Sequence, residues 1–509
     1  MRISNPWIAC TIVFVASFCT MVIELIAGRI MAPYIGVSLY TWTSIIGVVL
    51  AGISVGNYVG GRIADRAASA FLLGILLILA GISALMILPA TLLAMNWNLG
   101  KDFSLIAKIV IYTVTIFIAP ALILGTISPV VIKLSIIDLN KTGNIVGRIY
   151  AISTLGAIVG TFVTGFYLIE EMGTRSIVWA VGITLIAFGV VIGQVWRSPA
   201  RATLIAVSVA SLGVLFSYRE SFAAPCIKES SYYCIRISEA NLEGVPVKSL
   251  VLDHLVHSYV SLEDPLFIGY GYERVYNEVT EWHTRDKPGF SSLSIGGGGY
   301  TFPKYLQTLY PTSEQTVLEI DPAVTQAAHD YLNVPLDLGI KTFNQDARLW
   351  FIQNRPVGQF DIVFGDAFND LSVPYHLTTL EFNRMVHDSL KPNGIMMTNI
   401  IDNFGTGEFL RAYLRTLRAS FEHVYLFALG RAWEGRGAST YVTVASRAPL
   451  DLDGFRAFEG RTTRKEKSTG ILDNAALDAY LASGRQITLT DDYVPVDNLV
   501  ARLFVERGF

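Results

Sequence analysis

Up to about Tyr218 the chain is assembled from apolar runs of about 17 residues or more with few charges, and beyond that point such runs stop. A run of that length fits a membrane span. The candidates are Trp7 to Ala27, Thr41 to Gly61, Phe71 to Ala94, Leu105 to about Ile127, Val146 to Ile169, Ile177 to Trp196, and the shorter Ala202 to Tyr218. Residues 1–218 are therefore expected to form an α-helical transmembrane bundle of about seven spans, in a multi-pass protein of the cell membrane whose first partner is the lipid bilayer. The first run is too long, and lacks the small-residue cleavage pattern, for a removed signal peptide, so it reads as an anchor. Gly52, Gly56 and Gly60 recur at four-residue spacing, as do Gly156 and Gly160, which predicts closely packed helices. Glu24 near one end of the first span, with Arg29 beyond it, reads either as an intramembrane ion or substrate site or as a side chain that snorkels to the surface.

Composition narrows the function. A hydrophobic fraction of 52% over 509 residues is high, and the formal net charge of -3 excludes a nucleic-acid binder driven by global basicity. The four cysteines form no CxxC motif, which argues against zinc or redox chemistry. Cys10 and Cys19 lie in the first apolar run and read as packing residues.

After Tyr218 the patterning becomes that of a soluble fold. Cys234 to Ser261 alternates apolar and polar residues around the turn signal Glu243-Gly244, which predicts a small antiparallel β-region over 219–265. From Leu293 onward strands alternate with helices, which predicts an α/β doubly wound, Rossmann-like nucleoside-binding domain over 266–450, followed by a polar tail or lid over 451–509. At its start, LSIGGGGYTF runs a short apolar segment into four glycines and then a helix. Such a turn lets backbone approach a ligand closely, with a helix N-terminus facing it. Glu319 and Asp321 follow the next apolar run, about twenty residues on, where a carboxylate would meet a ribose. Asp346 and Asp366 close the following units, so Gly, Glu, Asp and Asp would converge at one sheet edge. Glu319 and Asp321 would equally cap the helix starting at Pro322, and Asp366 would equally serve as a loop acid.

From about Glu229 to Ile401 these residues resemble the spermidine synthase (polyamine aminopropyltransferase) family, and the whole chain is similar to its membrane-fused members. Successive blocks in the family's order carry the resemblance. The motif E-S-x-Y-Q matches Glu229 to Tyr233, with Tyr233 in place of a nucleoside-contacting Gln, and L-D-G-x-x-Q matches Leu252 to His257. The helix carrying Y-H-E matches Tyr276-Asn277-Glu278. G-G-G-D-G-G matches Gly296, Gly297, Gly298, Gly299, Tyr300 and Thr301, so the amine-holding acid is replaced by Gly299. Glu319 matches the ribose-binding acid and Asp346-Ala347 the adenine-binding pair. D-S-S-D-P-x-G-P matches the stretch from Asp366 through Asn369 and Asp370 to Pro374, with the second acid replaced by Asn369. One loop, Gly60 to Arg66, resembles a loop of major facilitator transporters, and equally reads as a charged turn that fixes topology.

The resemblance implies aminopropyl transfer from decarboxylated S-adenosylmethionine, a co-substrate, to a polyamine, with methylthioadenosine released and no prosthetic group. Asp366 would be the base with Tyr276 as its partner. Tyr233, Gly296, Gly297, Gly298, Glu319, Asp346, Ala347 and Pro374 would hold the nucleoside, and His257, Asn277, Glu278, Gly299, Asn369 and Asp370 would line the amine. No metal is expected, because His254, His257 and His376 share no ligand spacing. His257 reads equally as a hydrogen-bonded core residue, and Asp491 and Asp492 as either a pocket closure or a solvated turn. Two rival functions are an S-adenosylmethionine-dependent methyltransferase on the same sheet and a polyamine transporter or sensor without turnover. Homo-oligomerisation is left open.

Orientation is read from the loops. Arg2, Arg62, Arg66, Lys133, Lys141, Arg148, Arg197 and Arg201 fall on the N-terminal side, against Arg29, Lys101 and Arg175 opposite, which places the N-terminus in the cytoplasm. Seven spans would then put the soluble domain outside, where Cys226 and Cys234 could form a disulfide. Cytosolic synthesis of adenosyl donors argues for the inside, and the short seventh run decides between them.

Overall fold

The structure is a computed structural model that describes residues 5–506, apart from 37, 97–102, 137, 198–212, 214–225, 368–372, 436 and 460–468. The chain divides into two compact units, Met1–Cys234 and Ile235–Phe509.

Among the described residues of the first unit six helices are long and apolar enough to cross a membrane: Pro6–Ile35, Leu39–Ala67, Ala70–Ala94, Ile106–Ser135, Leu139–Leu168 and Thr174–Gly193. The expected seventh, Ala202 to Tyr218, lies outside the described residues apart from Gly213. The glycine spacing does what it predicted. A Cβ at Gly56 would come 3.0 Å from Gly125 Cα, and one at Gly156 would come 2.9 Å from Phe14 Cα. Only a missing side chain lets these helices approach so closely. Ser17 and Ser153 share a hydrogen bond of 2.6 Å along the same seam as Phe14 and Gly156. A pair between Lys133 and Asp65, 2.7 Å apart, joins helix ends on one face.

On the opposite face the chain returns through the short strand β1 (Lys228–Glu229). The Glu229 carboxylate accepts from the Thr174 backbone N–H at 2.8 Å and from the Thr174 hydroxyl, and Arg29 donates to the Tyr232 carbonyl at 2.7 Å. Thr174 starts the last described span and Arg29 lies near the end of the first. Residues 229–232 are therefore at the end of the bundle away from the N-terminus. Cys226 and Cys234 are disulfide-bonded, with Cα atoms 5.3 Å apart.

The second unit opens with an antiparallel meander, β2 (Cys234–Leu242), β3 (Val245–Leu252) and β4 (Leu255–Val260). Its first turn is the expected Glu243-Gly244, both residues at positive φ. The main sheet follows: β5 (Ser291–Ile295), β6 (Glu314–Leu318), β7 (Ile340–Phe343), β8 (Phe360–Gly365), β9 (Leu390–Asn403), β10 (His423–Leu429), β11 (Ala438–Ser446) and β12 (Thr469–Ile471). Its order is β12-β10-β11-β9-β8-β5-β6-β7. The five strands β5 to β9 are parallel, and the chain order reverses between β5 and β8. β10, β11 and β12 are antiparallel additions, where the sequence suggested only a continued doubly wound pattern. Helices expected from periodicity form at Gly271–His283, Pro322–Tyr331, Ala347–Asn354, Leu380–Ser389 and Phe409–Arg418. Aromatic residues of the first of these, Tyr276 and Trp282, pack with Phe302, Phe364 and Phe427 into a core on one sheet face. The tail is fastened down rather than loose. Leu380 N–H donates to the Leu489 carbonyl at 2.8 Å, and Asp491 pairs with Arg348.

Candidate active site

Strand register puts Phe343, Leu318, Ile295, Gly365 and Thr398 in one row across the parallel sheet. The residues that follow in four of these strands are Glu319, Gly296, Asp366 and Asn399, so a crevice lined by them opens at the carboxyl edge, where the order reverses. The glycine turn is shaped by its neighbour. Gly296 has φ +96, and a Cβ there would strike the Asp366 carbonyl, so only glycine fits. Gly298 is also at positive φ.

Glu319 is 6% exposed and fills the turn's hydrogen-bonding capacity. Its Oε2 accepts from Gly297 N–H at 2.9 Å and Gly298 N–H at 3.1 Å, and its Oε1 from Asp321 N–H at 3.0 Å. Burial pushes its carboxyl up, opposed by those three N–H groups. Asp321 caps the helix at Pro322 through Ala323 N–H, 2.9 Å, so of the two acids weighed for that role Asp321 performs it. Asp346 caps the helix Ala347–Asn354 through Leu349 N–H at 2.9 Å, and its other oxygen meets His376 Nε2 at 2.8 Å. The His376 bond, ahead of the helix N–H groups, holds the Asp346 carboxyl below the ordinary aspartate range. Ala347 follows Asp346 directly, and Pro374 lies two residues before His376. Pro374 also lines an apolar cavity with Gly365, Ala367, Leu377, Thr398 and Tyr413.

Across the glycine turn, Asp366 accepts from the Tyr272 hydroxyl at 2.8 Å and from Asn399 Nδ2 at 3.0 Å. Burial raises its carboxyl, and these two bonds oppose the rise. The expected partner Tyr276 is corrected: one helical turn further on, its hydroxyl points to the Gly365 carbonyl at 3.2 Å, so Tyr272 takes that place. Tyr276 is 1% exposed and meets the Tyr272 ring edge-on at 5.5 Å.

The other expected substrate residues scatter. Gly299 N–H donates to Ser258 Oγ at 2.8 Å, and a Cβ at Gly299 would lie 2.7 Å from Ser258 Cβ. The family acid is therefore excluded here by β4. Asn277 is buried with Oδ1 unpartnered among the described residues, and Glu278 accepts from Thr469 N–H at 3.2 Å, at the strand β12. His257 lies on β4. Tyr233 is in the first unit, where its N–H donates to Ser230 Oγ at 2.9 Å. Asn369 and Asp370 lie outside the described residues.

Sequence reasoning missed Tyr272, Asn399 and Glu273. Tyr272 is recoverable from its four-residue spacing to Tyr276. Asn399 gave no signal, because β9 runs on to Asn403 and hides it inside a strand. Glu273 is 4% exposed, and burial, followed by the charge of Asp366, pushes it up to about 8.

No protein-family model matches the chain. Curated relatives do. A probable polyamine aminopropyl transferase of Bifidobacterium longum is 30% identical over 132 residues, 26% of this chain and 29% of that one. A polyamine aminopropyltransferase of Vibrio vulnificus is 33% identical over 138 residues, 27% of this chain and 45% of that one. The match thus spans less than half the length of either relative. Among solved structures, a probable spermidine synthase from Corynebacterium glutamicum aligns with TM-score 0.44 and 18% identity, covering 52% of this chain and 95% of that one. The family assignment suggested by the sequence blocks is supported by these relatives.

Proposed function

We propose that the second unit is an aminopropyltransferase that uses decarboxylated S-adenosylmethionine as donor and a polyamine as acceptor, with methylthioadenosine as the second product. The observation that carries this reading is Asp366, half-buried at the switch point with Tyr272 and Asn399 on its two oxygens. An amine of pKa about 10 is free in only about one part in a thousand at neutral pH, so its proton must be removed as it attacks. The amine lone pair forms a bond to the methylene beside the sulfonium, the carbon–sulfur bond breaks, and its electron pair neutralises the sulfur. The ammonium proton passes to Asp366, whose burial makes it a stronger base than an exposed carboxylate. Glu319, already fixed by three backbone N–H groups, keeps lone-pair capacity for ribose hydroxyls, since a carboxylate offers about four acceptor sites. Asp346, oriented by His376, takes the adenine amino group. Asn369 and Asp370 are assigned beside the amine.

The test is product identity. Purified full-length protein given decarboxylated S-adenosylmethionine and a panel of diamines and longer polyamines is expected to release methylthioadenosine. Release of S-adenosylhomocysteine from S-adenosylmethionine instead would establish the methyltransferase alternative, and neither product would leave a binding protein.

We also propose that residues 1–218 are membrane-embedded and that the chain leaves this bundle on the outer side. In support, Glu229 is bonded to Thr174, at the end away from a basic-flanked N-terminus, and Cys226 is bonded to Cys234. Thiol labelling of intact cells tests it: reduced Cys226 and Cys234 reached only by a membrane-permeant reagent would overturn the outward placement.

A further inference from the structure

The helix Gly271–His283, whose Tyr272 reaches Asp366, carries a second acid next to that tyrosine. Glu273 sits at the third position of the helix Gly271–His283, and its Oε2 accepts from Tyr270 N–H at 3.3 Å, one half of a capping box. That role occupies one oxygen. The adjacent cation, Arg274, is paired with Glu243 at 3.1 Å and offsets the charge of Glu273 only in part. Burial at 4% exposure without an ion pair is costly for a carboxylate, and the nearby charge of Asp366 adds to the cost. A cation received beside Glu273 and Asp366 would offset the cost of ionising both.

The surroundings are built for a cation. Tyr270 and Tyr272 stack at 5.5 Å, Tyr259 lies 5.1 Å from Tyr270, and Tyr276 lies 5.5 Å from Tyr272. Aromatic faces attract ammonium groups. Asn399, 4% exposed, uses Nδ2 on Asp366 and leaves Oδ1 buried without a donor among the described residues. An acceptor atom stranded in this way beside a carboxylate calls for N–H donors from a ligand.

We infer that Glu273 is the second carboxyl of the acceptor subsite, and that Glu273, Asp366, the Asn399 side-chain carbonyl and the rings of Tyr270 and Tyr272 together receive an ammonium end of a polyamine. This rests on the aminopropyltransferase reading and adds to it a residue outside the family's paired-acid motif.

Calorimetric titration of spermidine into full-length protein saturated with methylthioadenosine is the test, with Glu273→Gln as the variant, because Gln also serves at that capping position. The expected result is about tenfold or greater loss of spermidine affinity with methylthioadenosine affinity unchanged. Repeating the wild-type titration near pH 7 in buffers of different ionisation enthalpy is expected to show proton release on amine binding, reduced in the variant. Unchanged spermidine affinity in the variant overturns the inference, as does a parallel loss of nucleoside affinity, which would mark Glu273 as structural. Absence of proton release from the wild type overturns it without any variant. Wild-type protein that binds methylthioadenosine but no amine removes the aminopropyltransferase reading itself, and this assignment with it.

Discussion

Glu319 and Asp366 flank the glycine turn on the strands either side of β5, yet they are held by different kinds of donor. Glu319 receives three backbone N–H groups, whose positions are set by the turn and by the start of the next helix. Asp366 receives one phenol and one amide, both side chains, among packed tyrosine rings. Backbone donors cannot titrate or rotate away, so the Glu319 side suits a group that binds without changing charge. Side-chain donors around a carboxyl already raised by burial suit a group that takes up a proton. One crevice thus holds a fixed end and a reactive end.

The largest expected effect breaks the reactive end. Asp366→Asn should lower turnover by roughly 10² or more in single-turnover measurements, the size of a lost general base. Next is Gly299→Asp, which restores the family acid where Ser258 Cβ leaves no room at 2.7 Å. It should cost roughly 1 to 3 kcal/mol in denaturant unfolding, as overpacking does, and an unchanged midpoint would mean β4 yields easily. Tyr272→Phe removes one of the two donors to Asp366 and should slow turnover about five- to tenfold, the kinetic equivalent of about 1 kcal/mol. Tyr276→Phe should slow it less; the reverse order would restore Tyr276 as the partner.

The smallest effect concerns pH. Glu273, raised from 4.5 to about 8, keeps in the native state a proton that the unfolded chain has lost between those values. Stability should therefore fall as pH rises through that window and level off above it. Glu273→Gln removes this dependence, so its Tm should gain on the wild type steadily between pH 5 and pH 8. A constant difference would show that the carboxyl does not carry the shift.

Much of this crevice was legible because β5, β6 and β8 each end in an apolar run followed directly by the glycine or acid that lines it. Where the strand does not end, the signal vanishes, which is why Asn399 escaped. Choosing Tyr276 over Tyr272 from a motif failed for another reason: both lie on one helix face, and which hydroxyl reaches Asp366 depends on how that helix sits on the sheet. Gly299 looked like a lost acid, and only the approach of Ser258 reveals the space it clears. The antiparallel edge was likewise invisible, since strand direction at β10 and β11 is fixed by pairing across the sheet rather than by local pattern.

The division between fixed and reactive ends is tested most directly by titrating methylthioadenosine calorimetrically into Asp366→Asn and Glu319→Gln. The expected result is near-wild-type affinity for Asp366→Asn and a loss of about 1 to 3 kcal/mol for Glu319→Gln, as for a charge-assisted hydrogen bond. Equal losses in the two variants would contradict it.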